Sequence, residues 1–142
     1  MEKNIVKMNR ILVGIDGSEG SQLALDKAKS LISDEGEIIL IAVVPTPKEK
    51  TFVDNQIYNK IKKKADLILK NTMKDIGEKN YSIRGIIEKG DAAEKIIDTA
   101  LNLNVDLITL GSRGSSKIGV YTIGSIANKV VQYAHKPVLV VR

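Results

Sequence analysis

The chain has 142 residues, about the length of one domain, and is 43% apolar and 27% charged, a composition that excludes a disordered or collagen-like chain. Cysteine is absent, which excludes disulfides and thiolate chemistry and makes a reducing cytoplasm the expected compartment. The net charge of +5, from 22 basic and 17 acidic residues, is a mild excess that favours anionic ligands.

Met1 to Arg10 is polar and mixed in charge, without the apolar centre of a secretion signal. Residues 1–9 are expected to be a tail, with one domain over residues 10–142. Ile11 to Ile15 is a continuous apolar run that closes on Asp16-Gly17-Ser18, the pattern of a buried parallel strand. Ser18 is the expected N-cap of a helix carrying Ala24, Ala28, Leu31 and Ile32, closed by Asp34-Glu35-Gly36. Glu37 to Val44 reads as a second strand, ended by Pro45 and Pro47. Its apolar core is far shorter than the ~20 residues of a membrane span. Thr46 to Asn55 is a long polar connection. A long helix follows, with Val53, Ile57, Ile61, Ala65, Ile68, Met73 and Ile76 as its expected inner stripe. Its run Lys60-Ile61-Lys62-Lys63-Lys64 has no aromatic interleaving beyond Tyr58 and reads as a solvated face rather than a nucleic-acid site; with apolar runs too short for a span, a membrane is not an expected partner either. Tyr81 to Ile87 is a third strand. Asp91-Ala92-Ala93-Glu94 resembles a capping box before a third helix. Val105 to Leu110 is a fourth strand, Ile126 to Ala134 a fourth helical face, and Pro137 to Val141 a last strand. Strict β-α alternation predicts an α/β fold: a parallel sheet with helices on both faces.

Ligands of such sheets bind beyond the carboxyl ends of the strands. Gly111-Ser112-Arg113-Gly114-Ser115-Ser116-Lys117 ends the fourth strand and leads to a helix opening at Gly124-Ser125. Glycines let backbone N–H groups approach phosphates, a helix N-terminus adds free donors and a favourable dipole, and Arg113 and Lys117 could neutralise charge. A loop that only packs is the alternative. Neither G-x-x-x-x-G-K-[ST] nor G-x-G-x-x-G occurs. Asp16 could accept a hydrogen bond from an exocyclic amine such as adenine N6, or cap the helix behind it. Val43 and Val44 could wall a base, or simply pack.

Taken together these residues resemble the universal stress protein family over roughly Asn9 to Arg142. Gly111, Gly114 and Gly124-Ser125 match its pattern G-x2-G-x9-G-[ST] without a gap, and the segments Ile11 to Glu19 and His135 to Val141 are similar to its first and last strands. The resemblance implies a single doubly wound, five-stranded parallel sheet of order 3-2-1-4-5. It implies ATP as ligand, with Mg²⁺ or Mn²⁺ travelling on the phosphates. Asp16 would contact adenine, Val43 the base through its backbone, and Gly111, Gly114, Gly124 and Ser125 the ribose and phosphates. Gly14, Ile15, Leu110 and Ile126 would line the same pocket. It further implies a homodimer through the last strand and a protein partner of unknown identity.

No catalytic set is apparent. His135 is the only histidine and sits at the end of the last expected helix. A nucleotide-dependent sensor in the stress response is therefore the leading expectation, ahead of a weak ATPase of the same fold or a nucleotide-free scaffold.

Overall fold

The computed structural model describes residues 8–46, 52–74, 79–112 and 123–142, without the side chains of residues 52–54. Among the described residues, nine elements alternate strictly: β1 (Met8–Gly14), α1 (Glu19–Leu31), β2 (Ile32–Val44), α2 (Phe52–Lys74), β3 (Ser82–Lys89), α3 (Ala92–Asn102), β4 (Leu107–Gly111), α4 (Ser125–Tyr133) and β5 (Val138–Val141). Every strand pair is parallel, and the order is β3-β2-β1-β4-β5.

The continuous apolar runs explain why β1, β2 and β4 are central. Ile11, Leu12, Val13, Ile38, Ile39, Leu40 and Ile108 are fully buried, because helices cover the sheet on both sides. Alternation sorts their side chains. Ile11, Val13, Ile38 and Leu40 pack with Ala24, Leu25 and Ala28 of α1 and Leu69 of α2. Leu12, Ile39, Ile108 and Leu110 pack with Ala93, Ile96 and Ala100 of α3 and Ala127 and Val130 of α4. The sheet thus separates α1 and α2 from α3 and α4.

Three local expectations are corrected. Met8 and Asn9 belong to β1 rather than to a tail. β2 begins at Ile32, not Glu37, so Ile32 and Asp34-Glu35-Gly36 do not finish α1. Ser33 is buried there and its hydroxyl donates to the Met8 carbonyl (3.1 Å), while the pairing register shifts between Met8 and Arg10 and Glu35 takes a positive φ of 65°. The turn-forming residues produce an irregular strand instead of a helix stop. In α2 the inward residue is Leu69, flanked by Ala65, Ile68 and Met73, whereas Ile57 and Ile61 are exposed. Ile76 lies outside the described residues. At 23 residues, α2 is ~34 Å long, whereas the eight residues of β3 span ~26 Å. Ile61, Lys64, Ala65 and Ile68 of α2 lie beside a cavity at the carboxyl edge of the sheet.

Candidate functional site

β1 makes its last register pair with β2 at Gly14 and Ile41, and the Ile15 N–H bonds to the Ile41 carbonyl (2.8 Å). β2 continues to Val44, whose carbonyl turns the other way and accepts from the Gly90 N–H. Alternation then points the Val43 peptide groups toward β1, past the point where β1 has ended. The gap opens into a cavity of about 760 Å³ along the carboxyl edge of β2, β1 and β4. Gly14, Ile15, Asp16, Val43, Leu110, Gly111, Gly124, Ser125 and Ile126 all line it. Arg113 and Gly114 lie outside the described residues.

Asp16 follows β1 and is exposed to this space. Its Oδ1 accepts from both the Ser18 N–H (2.9 Å) and the Ser18 hydroxyl. The N-cap of α1 is Ser18, whose Oγ accepts from the Ser21 N–H (3.2 Å). Asp16 therefore does not cap the helix; it fixes the residue that does. Its Oδ2 makes no hydrogen bond among the described residues, leaving a carboxylate oxygen directed by a rigid turn. Gly17 completes that turn with φ +82°, a conformation that side chains rarely adopt.

Three helices present N-termini to the cavity, and they differ. α1 is capped by Ser18, and α3 is capped by Asp91, which accepts from the Glu94 N–H (3.0 Å). The backbone bonds, together with Lys129 at 3.4 Å, hold the Asp91 carboxyl below the ordinary carboxylate range. α4 has glycine as its N-cap and no side-chain cap, and its first turn carries no acidic residue. Among the described residues, no side chain caps its leading N–H groups beside the cavity. The Gly124 N–H itself bonds back to the Ser112 carbonyl (2.6 Å), and the Ser112 N–H bonds to Val141 (2.8 Å), so the entry to α4 is tied to β4 and β5. Asp16 and the α4 terminus thus face one space from two different strand ends.

Packing requires glycine at position 111. A Cβ there would stand 2.6 Å from the Gly20 carbonyl carbon and 2.7 Å from its oxygen. The first turn of α1 rests directly on the end of β4.

The family model described as the universal stress protein family matches residues 7–142. The chain belongs to the universal stress protein family. It is 35% identical to the universal stress protein YxiE of Bacillus subtilis, over 94% of this chain and 99% of that one. The universal stress protein MJ0577 of Methanocaldococcus jannaschii is 28% identical over 96% of each chain. The solved MJ0577 structure superposes with TM-score 0.84 at 30% identity, again over 96% of each chain. A family protein from Arabidopsis thaliana, solved with AMP bound, shares the fold at TM-score 0.67 and 15% identity, over 94% of this chain and 90% of that one.

In this universal stress protein the cavity has walls that motif reading did not supply. Ile61, Lys64, Ala65 and Ile68 of α2 close one side, and Asp91 and Ala92 at the start of α3 another. Lys64 is the cationic side chain among the described lining residues. Only the register of α2 on the sheet brings these residues here. Helical spacing placed them on a helix but not over the ends of β1 and β2. His135 is exposed, two residues beyond α4, and does not line the cavity.

Proposed function

We propose that this protein binds ATP in the cavity and that the liganded state acts on a partner protein as a sensor or switch in the stress response. The observation that carries the reading is the uncapped N-terminus of α4 opening on the cavity opposite Asp16. Gly124 allows close approach, and the free N–H groups and dipole favour a polyanion. By the glycine motif, Gly114 would join Gly111 in the phosphate cradle, with Arg113 as a charge partner. Mg²⁺ or Mn²⁺ would be carried by the phosphates, with few protein ligands.

At the other end, Asp16 Oδ2 accepts the adenine N6 donor and the Val43 peptide groups meet the base edge. Ile15, Leu110 and Ile126 supply apolar contact. Guanine presents O6 where adenine has its amine, so the carboxylate would face an acceptor. The AMP-bound Arabidopsis relative supports an adenine nucleotide as the ligand class. The proposal includes a homodimer: β5 is an edge strand pairing only with β4 among the described residues, and an apolar edge invites a second copy. A cytoplasmic location goes with this reading.

The test is calorimetric titration of nucleotide-stripped protein with Mg-ATP and Mg-GTP, beside an assay of phosphate release. ATP should bind with GTP weaker by about ten- to a hundredfold, the worth of one charged hydrogen bond. Phosphate release should stay at background. Steady release would move the protein to the weak-ATPase reading. Absence of adenine-nucleotide binding at millimolar concentration would leave a scaffold domain.

A further inference from the structure

We infer that the strip of α2 bordering the cavity docks an acidic amphipathic helix of a partner protein, and that this docking is coupled to cavity occupancy. The coupling rests on the ATP reading; the docking does not.

The inner face of α2 is satisfied by Leu69 and its neighbours on the sheet. Yet Ile57, Ile61 and Leu67 are 51%, 38% and 58% exposed. With Lys60 and Lys64 they fall at i, i+3, i+4, i+7 and i+10, which is one face of a helix. A helix whose outer face only met water would carry polar residues here. The charged positions on this strip are all lysine. Lys60 and Lys64 stand at i, i+4, where like charges cost a few tenths of a kcal/mol. An acidic partner relieves that repulsion while covering the apolar residues.

The shape and charge select the occupant. Residues 57–67 form a strip ~15 Å long and two side-chain rows wide, the kind of surface a second helix packs against. A second copy of the same strip would set lysine against lysine. A membrane surface wants a broad apolar face to sink into the headgroup boundary, and the broad apolar face of α2 is already on the sheet. Ile61 and Lys64 belong both to the strip and to the cavity wall. A nucleotide against that wall shifts the strip, and the coupling must run equally in both directions.

The experiment uses the whole protein and a fluorescent designed helix with leucines at i, i+3, i+4 and i+7 flanked by glutamates. A counterpart with lysine in place of every glutamate is the control. Lys60→Glu and Leu67→Glu are the test variants, because neither residue lines the cavity. The glutamate peptide should bind the wild type, and each variant should weaken it by about tenfold or more. Both variants should keep their ATP affinity. Lys60→Glu should melt no lower than wild type, since a glutamate at position 60 would face Lys64 at i+4. ATP should change peptide affinity by the factor with which peptide changes ATP affinity. Equal binding to wild type and variants, no binding of the glutamate peptide, or preference for the lysine peptide overturns the docking assignment. So does binding to vesicles of half phosphatidylglycerol that vanishes in the same variants when the peptide does not bind. Peptide binding without ATP binding discards the ATP reading and keeps the docking. ATP binding without peptide binding does the reverse. Independent binding of both discards the coupling alone.

Discussion

Ser125→Glu should raise stability and destroy nucleotide binding in the same molecule. Ser125 is the first residue of α4, exposed at a terminus with no side-chain cap and no acidic residue in its first turn. A carboxylate there complements the helix dipole and stabilises the protein by about 0.3–1 kcal/mol. The same carboxylate would lie beside the phosphates. At about 6 Å and an effective dielectric of about 20, each unit of phosphate charge is opposed by about 3 kcal/mol. Solvent and salt at this open site reduce that figure, and about half of it still corresponds to at least tenfold in affinity. Ser125→Ala is the control, losing a hydroxyl without adding charge. Thermal melts of the free protein and Mg-ATP titration of all three proteins give the two readouts. Opposite signs in stability and affinity separate a ligand effect from misfolding. A stable Ser125→Glu protein that binds ATP as well as the wild type would refute placement of the phosphates on α4.

Gly111→Ala should cost about 1–3 kcal/mol in urea denaturation without any ligand, since its Cβ meets the Gly20 backbone rather than a side chain that could rotate away. An unchanged midpoint would remove the α1 seat assigned to it. Thr109→Val should stabilise by about 1–2 kcal/mol, because the buried Thr109 hydroxyl has no hydrogen-bond partner among the described residues; a loss of stability would show that the hydroxyl has one. Asp91→Asn should be less stable than wild type at neutral pH. Since folding lowers the Asp91 pKa below its ordinary 3.8, the carboxylate's contribution is present above that value and fades as pH falls through the folded pKa. The gap in urea midpoints should therefore close below pH 3.8, and a gap independent of pH would exclude the charge as its source.

Alternation of buried apolar runs with helical stripes was enough to read the fold class, because central parallel strands cannot hide their composition. The strand order came from family resemblance. Local turn chemistry misled at residues 32–36: Asp34-Glu35-Gly36 has the composition of a helix stop, and only the long-range contact from Ser33 to Met8 shows that the chain is already strand. In α2 the apolar spacing ran through Ile57 and Ile61, although only the later residues Ala65, Ile68, Leu69 and Met73 pack on the core. Periodicity records which residues share a face, not whether anything lies under it. For the same reason Lys64 was legible as part of a charged run but not as a cavity wall. Asp16 shows a further limit: position allowed it to be a cap or a ligand group, and the hydrogen bonds to Ser18 were needed to show one oxygen committed and the other without a partner among the described residues.

The most direct test of ATP binding at this site is an amide-resolved NMR titration of the stripped protein with Mg-ATP. The expected result is that Ile15, Asp16, Val43, Gly111, Ser125 and Ile126 shift together along one saturation curve, with GTP producing the same pattern only at much higher concentration. Saturable shifts confined to other surfaces, or none at millimolar ATP, would contradict it.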